Sequence, residues 1–294
     1  MRIINLETAI TTSEDAWADK RVHYRMHPAN TPCFVTAGVD CAVLANNHVL
    51  DWGYAGLTDT LAALRAAGIG TAGAGRDASE AARPAILPLP NQGRILVFAF
   101  TMENAGTPRN WMATKTHAGV NLLPDFSEAS VSRITEQIAA HKQRGDLVVA
   151  SLHWGRHWGY DLEPGQQAFA HRLIDDAGVD LIHGHSSNHA KSIELHAGKL
   201  ILYGCGDFVN DYEGISGHNE YGAHLALMYF LTINSDDGTL TDLTLVPLRR
   251  RHFRLSRAHE IDFCWLTEVF NREGRRFGTS VTRSNRDEFR ILAR

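Results

Sequence analysis

Apolar positions along this chain follow two periods. Short unbroken apolar runs at residues 40–45 (DCAVLA), 94–100 (RILVFAF), 146–152 (DLVVASL) and 179–183 (VDLIH) read as buried strands. The second of them is entered after Asn91-Gln92-Gly93. Between these runs the spacing turns helical. Residues 55–67 place Leu57, Leu61 and Leu64 on one face and stop at Gly68. Residues 127–144, capped by Ser127, and residues 166–177 read as further helices. Strand and helix in alternation predict an α/β sheet with crossover helices. After residue 190 the texture changes. Residues 192–196 and 199–203 form a hairpin pattern around Ala197-Gly198. Residues 223–234, 240–248 and 251–255 read as antiparallel strands, the first two joined through Asp236-Asp237-Gly238, and residues 259–275 as a last helix. No repeat or linker interrupts the pattern, so one domain over residues 1–294, with a mixed sheet or two packed sheets, is the economical reading. Within it, residues 1–212 form the α/β part and residues 213–294 the antiparallel part.

The placement of polar residues changes the picture from fold to chemistry. In open α/β sheets functional groups collect at the carboxyl ends of strands. Three strands in succession end in polar, histidine-bearing loops: Asn46-Asn47-His48, His153-Trp154-Gly155 and Gly184-His185-Ser186-Ser187-Asn188-His189. An asparagine oxygen is a neutral hard ligand for a divalent ion, and a neighbouring histidine can serve as general acid. A histidine after an apolar strand is, taken alone, more often structural than a ligand. Two imidazoles four residues apart in a turn can reach one metal ion or two adjacent ones. Asn188 is a further ligand or an orienting group. Glu7, after Ile3-Ile4, adds a carboxylate to a set otherwise neutral. Trp154 either walls a substrate cleft or covers a hydrophobic edge. Asp207, in Tyr203-Gly204-Cys205-Gly206-Asp207, can orient a ligand, and the glycines imply close backbone approach. Arg25 is a candidate for an anionic substrate, with a solvated surface role as the plainer reading.

Composition narrows the class. Sixteen histidines are many for 294 residues, whereas the formal net charge of −4 and scattered basic residues give no nucleic-acid footprint. Four cysteines without regular spacing, Cys33, Cys41, Cys205 and Cys264, fit a reducing compartment. The first residues carry no signal-peptide pattern and no run is long enough to span a membrane, so the chain as written reads as cytoplasmic. There is no GxSxG elbow and no HExxH, and Gly73-Ala74-Gly75 lacks the rest of a P-loop or dinucleotide fingerprint.

Taken in order, Asn-Leu-Glu at residues 5–7, Ala-Asn-Asn-His-Val-Leu-Asp-Trp-Gly at 45–53, Gly-x-Gly at 73–75, His-Trp-Gly at 153–155, Gly-His at 184–185 and the Ile-Glu and Gly-Lys-Leu-Ile-Leu-Tyr segments to 203 resemble the CapA family. These capsule or poly-γ-glutamate biosynthesis proteins are similar to calcineurin-like metallophosphoesterases. The resemblance runs from Ile3 to about Tyr212. It implies a four-layer α-β-β-α sandwich of two mixed sheets with a metal site at the sheet edges. It also implies Glu7, Asn47, His153, His185 and His189 as ligands of one or two divalent ions (Mn, Fe or Zn) and His48 as the catalytic imidazole. The chain departs from the family pattern in three ways. The Gly-Asp strand that precedes Asn-Leu-Glu in relatives is missing from its first residues. Asn188-His189 stands where two adjacent histidines are usual, and Asp207 where many relatives have asparagine.

The resulting expectation is a metal-dependent hydrolase acting on a small-molecule or polymer substrate of anionic character. Water activated by the metal and proton donation by His48 would drive it. The alternatives are a catalytically impaired polymer-binding or assembly module of capsule synthesis, and an amide hydrolase of γ-glutamyl polymers.

Overall fold

The computed structural model describes residues 1–90, 93–210, 218–284 and 287–293. The expected turn at Asn91-Gln92 and the expected boundary at residues 212/213 lie outside the described residues. Packing groups the chain into two units, one of Met1–Trp154 with Asp175–Val179, the other of Gly155–Ile174 with Asp180–Arg294. Each is mixed α/β, the class the alternation implies.

The first unit opens with strand β1 (Ile3–Asn5), which pairs in parallel with β2 (Cys41–Val43). The ladder sets Ile3 opposite Cys41 and Asn5 opposite Val43, so both strands end at the same edge. Helix α1 (Gly53–Ala66) follows, with Leu57, Leu61 and Leu64 buried at helical spacing as the sequence predicts. It returns to β3 (Gly70–Ala72), parallel to β2. The sequence misses β3 because Gly-Thr-Ala carries no apolar run. Leu6, Ile10, Leu44, Val49, Leu50, the three helix leucines and Trp111 form one buried cluster. Burial of each leucine side chain contributes about 1.5–3 kcal/mol.

Strands β4 (Ala85–Pro88), β5 (Arg94–Met102), β6 (Leu122–Leu123) and β7 (Asp146–His153) form the other main ladder of this unit. β5 pairs in parallel with β6 and β7 and antiparallel with β4. Its apolar run is continuous because neighbouring chain covers both faces. Helix α2 (Glu128–Ala139) starts at Ser127, whose side chain accepts a hydrogen bond from the Ser130 N–H and closes the first turn. Gly73 sits where two alanines meet. A Cβ there would stand 2.5 Å from Ala45 Cβ and 2.7 Å from Ala99 Cβ, and its φ is +89°. The Gly-x-Gly segment is therefore packed backbone and not a phosphate cradle.

The second unit contains α3 (Gln166–Asp175) except its last residue, with β8 (Leu181–His185), β9 (Ile193–His196) and β10 (Lys199–Leu202). β8 runs parallel to β10, and β9–β10 is the expected hairpin. Pairing of Leu181–His183 with Leu200–Leu202 starts β8 two residues later than the apolar run suggests, so His185 is the last residue of the strand. The long strands β11 (Leu225–Ile233) and β12 (Leu240–Arg251) pair antiparallel, and β12 turns back into β13 (Arg254–Arg257). Helix α4 (Glu260–Gly274) begins in a capping box of His259 and Asp262. Strands β14 (Thr279–Arg283) and β15 (Phe289–Ala293) close the chain and were not legible as strands, since arginines and serines interrupt their alternation. Among the described residues no helix is long and apolar enough to cross a membrane.

Candidate functional site

In the first unit, the shared edge of β1 and β2 builds a polar constellation from residues close in sequence to the strand ends. Asn46 is fully buried. Its Nδ2 donates to Asn5 Oδ1 (3.0 Å) and to the Leu6 carbonyl (2.9 Å). Its Oδ1 accepts the N–H groups of His48 and Val49, both at 3.0 Å. One asparagine thus clips the end of β1 to the loop after β2. Asn5 passes this order on, because its Nδ2 donates to Glu7 Oε2 at 2.8 Å. Glu7 Oε2 lies 3.9 Å from Nδ1 of His153, whose side chain is fully buried at the end of β7. The structure therefore brings Glu7, Asn47, His48 and His153 into one region of this unit.

His48 is held on three sides. Its Nδ1 is 2.7 Å from Asp51 Oδ2 and 3.1 Å from Lys20 Nζ, and Tyr24 stacks on the ring at 4.0 Å. Asp51 is fully buried; it also accepts the Tyr24 N–H at 2.6 Å and the Lys20 ammonium. Lys20 further donates to the Asn47 carbonyl and lies 5.0 Å from the centre of the Trp111 ring. Burial pulls the Lys20 ammonium below the usual lysine range, opposed by the charges of Asp51 and Glu7. With Nδ1 turned to Asp51, proton exchange with a bound molecule falls to Nε2. Asn47 is different from its neighbour: its Oδ1 is buried and has no hydrogen-bond partner among the described residues. An orphaned buried acceptor costs free energy unless a ligand meets it.

Sequence reasoning missed Lys20, Tyr24, Asn5 and the distinct task of Asn46. The His48-x-x-Asp51 spacing was the available signal for the imidazole's partner. Two other candidates are placed by their packing. Trp154 is 1% exposed and meets Phe126 edge-on, packed into the interior. Arg25 donates to the Ser13 carbonyl at 2.7 Å and covers the Trp52 ring at 4.2 Å.

In the second unit, the loop after β8 is drawn tight by its own polar groups. Ser186, at a φ of +99°, donates from Oγ to the Gly155 carbonyl (3.1 Å), and its own carbonyl lies 3.0 Å from His157 Nδ1. The Asn188 N–H donates to the His157 carbonyl at 3.0 Å. Ser187 Oγ donates to the His189 carbonyl at 2.8 Å. Gly206 is required by this loop, because a Cβ there would lie 2.9 Å from the His189 carbonyl carbon and the Ala190 nitrogen. That is the close approach the glycines of residues 203–207 imply. His189 Nδ1 donates to the Ala190 carbonyl at 3.1 Å, which leaves the lone pair on Nε2. Nε2 is buried without a partner among the described residues. Burial pushes the imidazole down to about 4, so it is neutral near pH 7. Tyr221 stacks on it at 4.9 Å and Tyr160 meets it edge-on at 4.8 Å. His185, 5% exposed at the strand end, lies 5.3 Å from the ring of His183. Asp207 pairs with Asn210 Nδ2 (3.1 Å) and Arg250 (3.8 Å).

Tested against a divalent ion, the donor chemistry fits in kind. Glu7 offers a carboxylate, His153 an imidazole and Asn47 an unmet oxygen, and in the second unit His189 presents an unmet imidazole nitrogen. Among the described residues no three His, Cys, Asp or Glu side chains are assembled for a metal ion.

Residues 1–212 match the family model described as Bacterial capsule synthesis protein PGA_cap. A protein of Mycobacterium tuberculosis described as a probable polyglutamine synthesis accessory protein is 45% identical over 280 residues, 95% of this chain and 73% of that protein. The PGA biosynthesis protein CapA of Bacillus subtilis is 30% identical over 208 residues, covering 70% of this chain and 52% of its own. The capsule biosynthesis protein CapA of Bacillus anthracis is 30% identical over 195 residues, 66% of this chain and 46% of its own. With the strand-end motifs in order and the family model matching residues 1–212, most of this chain, the chain belongs to the bacterial capsule synthesis protein PGA_cap family.

Proposed function

We propose that this protein serves capsule or poly-γ-glutamate biosynthesis as a metal-dependent hydrolase of the metallophosphoesterase type. The observation that carries the reading is the pairing of His48 with Asp51 beside the orphaned oxygen of Asn47. Glu7, Asn47 and His153 are the residues of the first unit that would hold the ion, and a divalent ion there would supply Lewis acidity and an acidified water. The rest of the chemistry belongs to the chain. Asp51 fixes the ring of His48 and sets which of its nitrogens faces away from the carboxylate. His48 Nε2–H then donates its proton to the leaving oxygen or nitrogen as the bond to it breaks. Tyr24 blocks one face of the imidazole and Asn46 keeps its backbone in place, so the ring loses little freedom on reaching the substrate. His185 and His189 in the second unit are proposed as further ligands on the chemistry of their own loop.

The test is hydrolysis by manganese-loaded protein of a chromogenic phosphodiester and of a γ-glutamyl anilide in parallel. Turnover of either, reduced about a hundredfold or more by His48→Asn at unchanged metal content, is the expected result. Equal rates for the variant and the parent overturn the reading. A second reading, a polymer-binding or assembly module, is favoured by the lack of an assembled three-residue carboxylate, histidine or thiolate cluster among the described residues. Metal-loaded protein inactive on both substrates supports it.

A further inference from the structure

One edge of the long antiparallel sheet of the second unit is β11. Among the described residues it pairs with β12 and with no other strand. Leu225–Ile233 reads Leu-Ala-Leu-Met-Tyr-Phe-Leu-Thr-Ile, without a charge, a proline or a glycine. Protein edges are ordinarily blunted by lysine, proline or a bulge, because their unpaired N–H and C=O groups are a template for another strand. Here the register of the β11–β12 pair is regular up to its far end, where it shifts between Thr232 and Ile233.

Which backbone groups face outward follows from the ladder. Leu227 stands opposite Pro247, whose carbonyl accepts the Ala258 N–H at 3.3 Å on the other side of β12. Proline has no N–H to give. Leu227 therefore occupies a pair without ladder bonds, and in antiparallel strands such pairs alternate with bonded ones. In agreement, the Arg250 N–H donates to the His224 carbonyl at 2.8 Å, and the Thr232 carbonyl accepts from Thr241 Oγ1 on β12 at 3.1 Å. The even-numbered residues of β11 thus bond β12. Leu227, Tyr229 and Leu231 turn their N–H and C=O groups away from it, and none of these groups meets a partner among the described residues.

We propose that β11 is a dimerisation edge, at which a second copy of this chain pairs antiparallel about a two-fold axis through Tyr229. The strand is complementary to itself about that residue. The axis matches Leu227 to the partner's Leu231, so the outward groups of the two copies exchange hydrogen bonds. It also sets Phe230, which is 54% exposed, against the partner's Met228. That pair falls where ladder bonds are absent and side chains stand closest, with Cα atoms about 4.5 Å apart. Tyr229, at the axis, keeps its hydroxyl on the Cys205 carbonyl at 3.2 Å, so its ring stays with its own copy. Every residue of β11 then meets an uncharged one, so a second copy brings neither like-charge repulsion nor a charge to desolvate. The same patch serves both copies, so pairing closes at a dimer and does not run on into a filament. The inference concerns assembly and stands apart from the chemistry around His48.

Sedimentation velocity of the full chain from about 1 to 100 µM tests it. A monomer–dimer equilibrium is expected, and added salt should not dissolve it, because the edge carries no charge. Phe230→Lys should weaken dimerisation about tenfold or more, while the melting temperature at low concentration holds, since that side chain is exposed. Leu231→Pro removes an outward N–H, leaves the β12 ladder whole and should weaken the dimer likewise. Combining Phe230→Lys with Met228→Glu reads the register. Across the two-fold the new charges of opposite sign face each other, so the double variant should recover the dimer that Phe230→Lys loses. A parent protein monomeric over the whole range, a dimer dissolved by salt, or a dimer undiminished by Phe230→Lys each overturns the proposal. A double variant that associates no better than Phe230→Lys overturns the axis through Tyr229. The measurement reads assembly and not turnover, so its failure leaves the reading of His48 and Asn47 untouched.

Discussion

His48 Nδ1 lies 2.7 Å from Asp51 Oδ2, one helical turn further along a loop that Asn46 clips in place. The carboxylate is fully buried and also receives the Tyr24 N–H and the Lys20 ammonium. Asp51→Ala strands these donors, so it should cost about 1–3 kcal/mol of stability as well as activity. Asp51→Asn keeps the shape but loses the charge. Denaturant titration of both variants, beside their rates, checks this. A hydrolysis rate unaffected by Asp51→Asn would detach His48 from its assigned role.

Asn47 makes the opposite prediction. Its orphaned oxygen satisfies nothing in the protein alone, so Asn47→Ala should leave the melting temperature of the metal-free protein unchanged or slightly raised. The same substitution should abolish the rise in melting temperature on adding manganese. Thermal scans with and without the ion read both effects. A large loss of stability in the metal-free variant would mean that the side chain is structural.

Gly73→Ala should destabilise by about 1–3 kcal/mol through overpacking. The new methyl meets Ala45 and Ala99 at distances no pair of carbon atoms tolerates, and the backbone there has a positive φ. Ala45 is next to Asn46, so relief of the clash should displace the His48 loop. The expected signature is a drop in activity beyond the drop in stability, measured well below the melting temperature.

Arg94 and Asp146 pair across β5 and β7, with Nε donating to Oδ1 at 2.9 Å. Hydrogen bonds from Arg94 hold the Asp146 carboxyl below the usual carboxylate range. On acidification the unfolded chain takes up this proton first. The pair's contribution is therefore whole above about pH 4 and is lost as pH falls through the depressed value. A plot of melting temperature against pH should have a shallower acid limb in Asp146→Asn than in the parent. Identical limbs would refute the linkage.

The sequence disclosed the strand ends more fully than the groups that serve them. Asn47, His48 and His153 follow buried apolar runs, and such runs locate strand ends whatever the tertiary detail. Lys20 and Tyr24 come from residues 11–27, a stretch with no period to place it against β2. Asn46 and Asn47 are identical in type; only the three-dimensional arrangement shows that one is saturated with hydrogen bonds and the other is not. For Trp154 the sequence offered a cleft wall or a hydrophobic cover, and only the three-dimensional arrangement shows its packing against Phe126. The arginines of the β12–β13 hairpin escaped notice because a count of charges carries no register.

That hairpin also separates the protein's average character from its behaviour at a surface. A formal net charge of −4 assigns the molecule to an anion exchanger near neutral pH. An exchanger bead, however, meets one face at a time, and the exposed Arg251, Arg254 and Arg257 of this hairpin form such a face. Retention on a cation exchanger, lost when those arginines are replaced, would make a purification column a reporter of how this chain distributes its charge.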